Sequence, residues 1–191
     1  MNKLLLITGD LATGKTTLSR IFSARCGAVV FQKDTIKEIL GDTISFHDRA
    51  ENRALSVATV AVMIHIFDQL AASGLPLILE ANFRGDELQE LHTIASSKGC
   101  EVLTLVLRGD MDVLYARYLH RMQDENRHPV HLSAPLHVRE EFEQYIRAQR
   151  EENIPGDLIE IDASDFSYQA DEALLLTIDR FMCAGTQTTA I

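Results

Sequence analysis

Short apolar runs alternate with longer stretches of helical periodicity along this chain. Five runs predict β-strands: Lys3 to Thr8, Ala28 to Gln32, Leu75 to Ala81, Glu101 to Leu107 and Asp157 to Asp162. Apolar residues recurring every three or four positions predict helices at 15–25, 35–40, 49–72, 86–98, 111–122, 136–150 and 168–182. This alternation predicts an α/β fold, with a mostly parallel sheet covered by helices on both faces.

Glycines mark several of the predicted boundaries. Gly27, Gly74 and Gly99 each follow a predicted helix, where a left-handed cap is expected. Within the long predicted helix, Met63 and Phe67 are expected to lie in the core, and His65 to be a buried, hydrogen-bonded histidine.

Composition predicts one soluble domain. The chain has 191 residues, of which 46% are hydrophobic and 24% charged, so we expect a single domain over 1–183 and a flexible tail at 184–191. A net charge of -10 disfavours binding to long nucleic acid or an anionic membrane surface. Three scattered cysteines suit a reducing cytoplasm, and the apolar runs predict neither a signal peptide nor a membrane span. The oligomeric state cannot be predicted.

The stretch "GDLATGKT" between the first predicted strand and helix matches the phosphate-loop pattern G-x-x-x-x-G-K-[ST]. Glycines let successive N–H groups turn inward toward a phosphate, and the helix N-terminus adds partial positive charge. Lys15 is predicted to bind the β- and γ-phosphates, and the Thr16 hydroxyl to bind Mg²⁺. The predicted nucleotide-binding residues of this region are Gly9, Ala12, Thr13, Gly14, Lys15, Thr16 and Thr17.

Other phosphate-loop classes fit less well. The sequence lacks the Asn-Lys-x-Asp and Asp-x-x-Gly motifs that GTPases need, and its third strand ends "LILEAN", without the Asp-Glu pair usual in mechanical ATPases. A kinase needs three further parts: a group that orients the acceptor, a carboxylate near the metal, and a mobile arginine lid.

Two carboxylates follow predicted strands at the sheet edge where such folds bind ligands. Asp34 could accept a proton from the acceptor hydroxyl or hold it in line, or it could only cap the following helix. Glu80 ends a buried strand and needs a partner there, either Mg²⁺, directly or through water, or a structural cation.

Further polar residues are candidates for acceptor binding. Asn82 and Arg84 continue from the third strand toward the acceptor side, and Arg49 and Arg53 follow a loop that could form the mouth of an acceptor pocket. Each of these three arginines could equally be surface charge.

The segment 117–135 is the lid candidate. Arg117 and Arg121 are four residues apart on one helix face, and Arg127 follows in a loop interrupted by prolines. All three are predicted to bind ATP, because the planar guanidinium suits phosphate oxygens, although a solvated helix face is the alternative. Four histidines crowd this region without cysteines nearby, which disfavours a zinc site.

These motifs together resemble the P-loop small-molecule kinases, and most closely the predicted kinases of the chloramphenicol phosphotransferase and zeta-toxin type. The resemblance covers about Asn2 to Arg180 and includes "KDTIKEIL", "LILEANF" and the lid ending "RHPVH". It implies a three-layer α/β/α fold with five parallel strands in the order 2-3-1-4-5, ATP and Mg²⁺ as ligands, Asp34 as the acceptor-activating residue, Arg121 as the main lid arginine, and an adenine site near Ile161 to Phe166. Glu80 departs from the family, which often has Asp there.

The sequence therefore predicts an enzyme that transfers the γ-phosphoryl group of ATP to a hydroxyl group of a small-molecule acceptor, with Lys15, Asp34 and Arg121 as catalytic residues. A nucleotide or polynucleotide 5'-kinase and an ATP-binding regulatory switch without acceptor chemistry remain the alternatives.

Overall fold

The computed structural model describes residues 2–132 and 136–183. Its five strands are β1 (Asn2–Gly9), β2 (Val29–Gln32), β3 (Leu77–Glu80), β4 (Cys100–Arg108) and β5 (Leu158–Asp162). The α-helices of the described residues are α1 (Lys15–Cys26), α2 (Lys33–Thr43), α3 (Arg49–Leu70), α4 (Gly85–Ser97), α5 (Met111–Met122), α6 (Arg139–Arg150) and α7 (Glu172–Cys183). Short 3-10 helices cover Pro129–His131 and Ser167–Ala170.

The strands form one parallel sheet in the order β2-β3-β1-β4-β5, which confirms the predicted fold class and strand order. In the central strand β1, Leu5 pairs with Ile78 of β3 on one side and with Leu103 of β4 on the other. Because Leu4 to Ile7 are all fully buried, both faces of β1 are covered, as its unbroken apolar run predicts.

Helices cover the sheet in two layers. On one face, Met63 and Phe67 of α3 and Leu91 of α4 pack against Leu4 and Leu6. Residues of α1 and α7 pack on the other face: Leu18, Phe22, Leu175, Ile178 and Met182. A third, smaller apolar cluster joins α5 to α6, through Leu114, Tyr118, Phe142 and Ile146. These clusters fix the sheet edge at which the loops described below converge.

Local sequence explains the helix ends. Gly27 and Gly99 directly follow α1 and the cap of α4 with φ angles of 64° and 63°, so these two predicted left-handed caps are confirmed. Gly74 also has a positive φ, 82°, but α3 ends at Leu70 with Ala71 as its C-cap, so the prediction that Gly74 caps the helix is wrong. The side chain of Asp48 accepts the N–H of Glu51 at 2.8 Å and starts α3. The predicted helices at 136–150 and 168–182 are shorter than expected, beginning at Arg139 and, after the second 3-10 helix, at Glu172.

Helix α3, with 22 residues, is the longest helix of the described residues. By length and composition alone it could cross a membrane, but Met63 and Phe67 are fully buried against the sheet, as in a core helix of a globular domain. His65 lies on the opposite side and is exposed, so the prediction of a core histidine is wrong. Helical periodicity explains the difference, because His65 lies two residues from both Met63 and Phe67, which turns it about 200° away from each.

Two predicted segments lie wholly or partly outside the described residues. The predicted tail at 184–191 is one of them, and the last three residues of the predicted lid, 133–135, are the other. The described part of the lid consists of α5 from Arg117 onward, the connecting residues 123–127, and a segment that we call the lid arm, His128–Leu132.

Candidate functional site

The loop between β1 and α1, residues Gly9–Thr16, is curled by backbone angles that favour glycine. Gly9 has a φ of 116°, and a Cβ added there would stand 2.1 Å from the carbonyl oxygen of Leu107. Gly14 has a φ of 83° and caps the N-terminus of α1. Among the described residues, Ala12 is the only one other than glycine with a positive φ, at 59°. The curl gives the loop the form of an anion-binding nest at a helix N-terminus.

The Lys15 side chain is folded back into this loop. Its Nζ donates to the carbonyl oxygens of Gly9 at 3.1 Å and Asp10 at 2.5 Å. Burial lowers the pKa of Lys15 to about 8, although the carboxylates of Glu80 and Asp34 act in the opposite direction. Lys15 Nζ also lies 3.4 Å from Thr13 Oγ1. A desolvated ammonium held by these neutral oxygens is ready to bind an anionic ligand.

Thr16 and Glu80 meet beside Lys15. The Thr16 hydroxyl donates to Glu80 Oε2 at 2.9 Å, and the Glu80 side chain is only 5% exposed. Burial raises the pKa of Glu80, while the Lys15 ammonium and the Thr16 hydroxyl partly offset that rise. A hydroxyl and a carboxylate are hard oxygen donors of the kind that Mg²⁺ uses when phosphates and water complete its shell.

Thr16 and Glu80 are the two protein side chains that could bind a magnesium ion at this position. Among residues 2–132 and 136–183, no cluster of three or more His, Cys, Asp or Glu side chains has the geometry to hold a metal. The residues therefore fit a Mg²⁺ ion bound jointly with a nucleotide, rather than one caged by the protein alone.

Asp34 lies across the cleft from the loop. It is in the first turn of α2, whereas the N-cap position is occupied by Gln32, so the alternative reading of Asp34 as the N-cap is wrong. Its side chain is exposed and lines the same cleft as Lys15 and Glu80. An exposed carboxylate at this edge is free to meet a ligand that enters the cleft.

One cleft of about 280 Å³ unites these groups. Ten of the predicted site residues line it: Ala12, Thr13, Gly14, Lys15, Thr16, Thr17, Asp34, Glu80, Asn82 and Arg121. Four further lining residues were not predicted: Leu11, Lys33, Ala81 and Tyr145. The structure thus brings together most of the residues that the sequence selected on chemical grounds.

Three predicted acceptor residues do not line that cleft. Arg49 and Arg53 are exposed on α3, and Arg84 is exposed at the N-cap of α4. Between these two arginines of α3, the residue that faces inward is Asn52, which is 5% exposed. A role for these arginines in acceptor binding stays a prediction.

The predicted lid arginines have separate environments. Arg121 is exposed and lines the cleft. Arg117 donates to the carbonyl oxygens of Ala163 at 2.6 Å and Ser164 at 2.8 Å, and its guanidinium stacks 4.0 Å from the centre of the Phe166 ring. Arg117 therefore faces the loop after β5, where the resemblance places the adenine site.

Arg127 lies between these elements and the start of the lid arm. Its Nε is buried and has no hydrogen-bond acceptor within the described part of the chain. Burial and the nearby Arg121 lower its pKa, while Asp34 acts in the opposite direction. Arg127 does not line the cleft, although its charge interacts with those of Arg121 and Asp34, which do.

The lid arm docks onto α2 through Val130, which is 2% exposed. A Cβ added at Gly41, inside α2, would stand 2.2 Å from Val130 Cγ1. Glycine inside a helix costs about 1 kcal/mol relative to alanine, and the close approach of Val130 explains its presence. The Val130 carbonyl accepts from Asn52 Nδ2 at 2.8 Å and from Lys37 Nζ at 3.3 Å.

Two histidines of the lid arm pair with carboxylates of α2. His128 Nε2 lies 3.0 Å from Asp42 Oδ1, and His131 Nε2 lies 2.7 Å from Glu38 Oε1. Histidines in this part of the sequence thus have contacts that hold the lid arm to α2. These contacts could not be predicted from spacing, because they join residues 86 and 93 positions apart.

Helix α6 supplies two site residues that the sequence did not reveal. The pattern "EEFEQYIRAQREE" predicts only solvent-exposed charge on its polar face, yet Tyr145 lines the cleft beside Asn82. Arg150 forms an ion pair with Asp10 of the phosphate loop. The signal for Tyr145 was weak: an aromatic residue on an otherwise charged face, three positions after the buried Phe142.

Comparison with known families identifies the chain. The model of the AAA domain family AAA_33 matches residues 4–147 of the 191. The chain belongs to this family of P-loop NTPases. No curated protein matches the sequence significantly.

Solved structures share the fold over nearly the whole chain. A presumed kinase from Chloroflexus aurantiacus is 26% identical, with a TM-score of 0.79, and the match covers 94% of this chain and 98% of that one. A sugar kinase from a Janibacter species is 18% identical, with a TM-score of 0.63 and coverage of 94% and 95%. Chaetomium thermophilum Kti12, in complex with ADP-AlF3, is 16% identical, with a TM-score of 0.61 and coverage of 94% and 98%. The chain therefore has a P-loop kinase fold.

Proposed function

We propose that this AAA domain protein is a cytoplasmic, ATP-dependent phosphotransferase that moves the γ-phosphoryl group of ATP to a hydroxyl group of a small-molecule acceptor. One observation carries the proposal: a single cleft contains both a phosphate loop with Lys15 and an exposed carboxylate, Asp34, on the facing helix. A protein that only binds nucleotide has no need for the second group.

The nucleotide half of the cleft binds the triphosphate. On binding, the Lys15 ammonium would leave the carbonyl oxygens of Gly9 and Asp10 and bind the β- and γ-phosphate oxygens, which are stronger acceptors. Thr16 and Glu80 would hold Mg²⁺, Glu80 either directly or through a water molecule. The bound ion would supply positive charge to the phosphate oxygens.

The acceptor half orients the nucleophile. The Asp34 carboxylate would accept a hydrogen bond from the acceptor hydroxyl and hold its oxygen in line with the γ-phosphorus. It would take the proton as the new O–P bond forms and the bond from the γ-phosphorus to the β,γ-bridging oxygen breaks, which releases ADP. A phosphate acceptor is already ionised and needs no such group, so Asp34 favours a hydroxyl acceptor. Asn82 and Tyr145 line the same side and are placed to bind other polar groups of the acceptor.

Arginines complete the proposed site. Arg121 would stabilise the negative charge on the phosphoryl group during transfer, because it faces both Lys15 and Asp34 across the cleft. Arg127, in the segment between α5 and the lid arm, would help to bind the phosphates through its Nε, which has no hydrogen-bond partner among the described residues. Arg117, stacked on Phe166, would bind on the adenine side.

Acceptor-dependent release of ADP tests this proposal. The protein is incubated with ATP and Mg²⁺ against a panel of hydroxylated metabolites, and the panel includes nucleosides and an oligonucleotide with a free 5'-hydroxyl. We expect one compound class to raise ADP formation well above the basal rate, and Lys15→Ala to abolish that increase. Stimulation by the oligonucleotide alone would support a 5'-kinase, and ATP binding with no stimulation by any compound would support a regulatory switch.

A further inference from the structure

The phosphate loop contains an acidic residue where a binding site for anions would least favour one. Asp10 is the second residue of the loop, and it is 1% exposed. The Asp10 side chain does not line the cleft, yet it belongs to the same loop as Lys15. An uncompensated buried carboxylate there would still repel a triphosphate, because a buried site screens charge weakly.

The guanidinium of Arg150, at the end of α6, compensates this charge. Its Nη2 donates to Asp10 Oδ2 at 2.6 Å, and its Nε lies 3.2 Å from Oδ2 and 3.3 Å from Oδ1. The same Nη2 donates to the carbonyl oxygen of Gly109 at 2.7 Å, and the N–H of Gly109 donates to Asp10 Oδ2 at 3.2 Å. The carboxylate is thus enclosed by donors from α6 and from the end of β4.

The backbone of Asp10 in turn shapes the loop around Lys15. Its carbonyl oxygen accepts from Lys15 Nζ at 2.5 Å and from Thr13 Oγ1 at 2.9 Å, and its N–H donates to the carbonyl oxygen of Leu107 at 2.8 Å. A shift of the Asp10 side chain would therefore move the carbonyl oxygen that holds the Lys15 ammonium.

We propose that Arg150 is a positioning residue for nucleotide binding: it neutralises Asp10 and anchors the phosphate loop to α6. The inference rests on the proposed function only in that ATP binds at this loop. Without Arg150, the Asp10 carboxylate would remain as an uncompensated buried anion in the loop that binds the phosphates, and the loop would lose its attachment to the helix that follows the lid.

Arg150→Met tests the role, because methionine keeps much of the alkyl stem and removes the charge. The measurements are the Kd of the Mg²⁺ complex of a non-hydrolysable ATP analogue, by calorimetry, and the thermal unfolding temperature of each variant. We expect the affinity to fall by about tenfold or more. Arg147→Met is the matched control on the same helix, since the exposed Arg147 side chain pairs with Glu143 and not with the phosphate loop in the described part of the chain, and it should leave the Kd unchanged.

A charge rescue separates positioning from folding. Asp10→Asn keeps an oxygen for the Gly109 N–H but removes the negative charge, so the double variant Asp10→Asn/Arg150→Met should recover most of the lost affinity. Recovery would not be expected if Arg150 merely held the fold together. Wild-type affinity in a folded Arg150→Met variant would overturn the proposal, as would a double variant that binds as weakly as the single one.

If Arg150→Met does not fold, Asp10→Asn alone decides the matter. It should bind the nucleotide at least as tightly as the wild type, and weaker binding would overturn the inference. Wild-type protein that binds the nucleotide but transfers no phosphoryl group would contradict the proposed function and leave the role of Arg150 intact. Wild-type protein that binds no nucleotide would contradict both.

Discussion

The two sides of the cleft are built in different ways. On the nucleotide side, Lys15 and Glu80 are buried, and loop contacts hold Lys15 and Thr16 before any ligand arrives. On the acceptor side, Asp34 and Arg121 are exposed and come from separate helices. The nucleotide side is thus fixed by backbone geometry, whereas the acceptor side depends on how α2 and the lid are placed against each other.

This difference separates affinity from turnover. Changes on the buried side should act on nucleotide binding, because they alter groups that are already organised for phosphate. Changes on the exposed side should act on the chemical step, because those groups gain their full effect only when the acceptor and the phosphoryl group lie between them.

Replacing Asp34 should give the largest difference between the effect on turnover and the effect on ATP affinity. We expect Asp34→Asn to lower turnover about a hundredfold with any acceptor found in the panel, because asparagine cannot take the hydroxyl proton. The Kd for ATP should stay within about twofold, because among the described residues Asp34 acts on Lys15 through its charge and not through a hydrogen bond. Steady-state kinetics together with calorimetry measure both quantities, and unchanged turnover would remove Asp34 from the proposed mechanism.

The pH dependence of ATP binding should report the buried side. The pKa of Lys15 is lowered to about 8, and phosphate binding needs its charged form. As the pH rises from 7 to 9, we therefore expect the Kd to increase by about tenfold, with proton uptake on binding visible in buffers of different ionisation enthalpy. Lys15→Arg is the control, because its guanidinium stays charged and its Kd, although higher, should not change over this range.

The stability of the folded protein should depend on pH in the opposite direction from the ATP affinity. Because the pKa of Lys15 is lower in the folded protein than its ordinary value of 10.5, the unfolded chain binds more protons between about pH 8 and 10.5. The contribution of Lys15 to the free energy of unfolding of the nucleotide-free protein should therefore rise with pH across that window. As the pH rises, the ATP affinity should therefore fall while the contribution of Lys15 to the free energy of unfolding increases. This combination is expected of a lysine that is buried for ligand binding at a cost in stability.

A smaller effect should follow from disturbing the placement of the lid arm. In Gly41→Ala the new Cβ would collide with Val130, so hydrogen exchange at 128–132 should accelerate by about fivefold. Helix α2 itself should not be weakened, because alanine favours a helix by about 1 kcal/mol over glycine. Ile39→Ala is the matched control on an exposed position of α2. Unaltered exchange in Gly41→Ala would show that the lid arm docks by other contacts.

Local patterns predicted the nucleotide side well. The turn of the phosphate loop around Lys15 includes contacts within about six residues, such as the hydrogen bond from Lys15 to Gly9, and its glycines have the positive φ angles that favour glycine. The strand order was implied by resemblance, and the buried apolar runs of β1 and β3 follow from a parallel sheet covered on both faces.

The acceptor side was predicted less completely, because its contacts join distant segments. Tyr145 on the acceptor side lies on the polar face of α6, as does Arg150, which contacts the phosphate loop on the nucleotide side. Polar residues on that face carry no periodic sign of what they contact. Arg49 and Arg53 attracted attention by their charge, although the inward-facing residue is Asn52. Its position three residues before the buried Leu55 and seven before the buried Thr59 could have revealed it.

The contact between Asp10 and Arg150 also has a consequence for biosynthesis. The two residues are 140 positions apart, so the motif leaves the ribosome long before its anchor does. At about 5–20 residues per second, the interval is on the order of ten seconds. A nascent chain that already carries "GDLATGKT" would thus be unable to form the anchored loop until α6 has emerged, which delays tight nucleotide binding until that point.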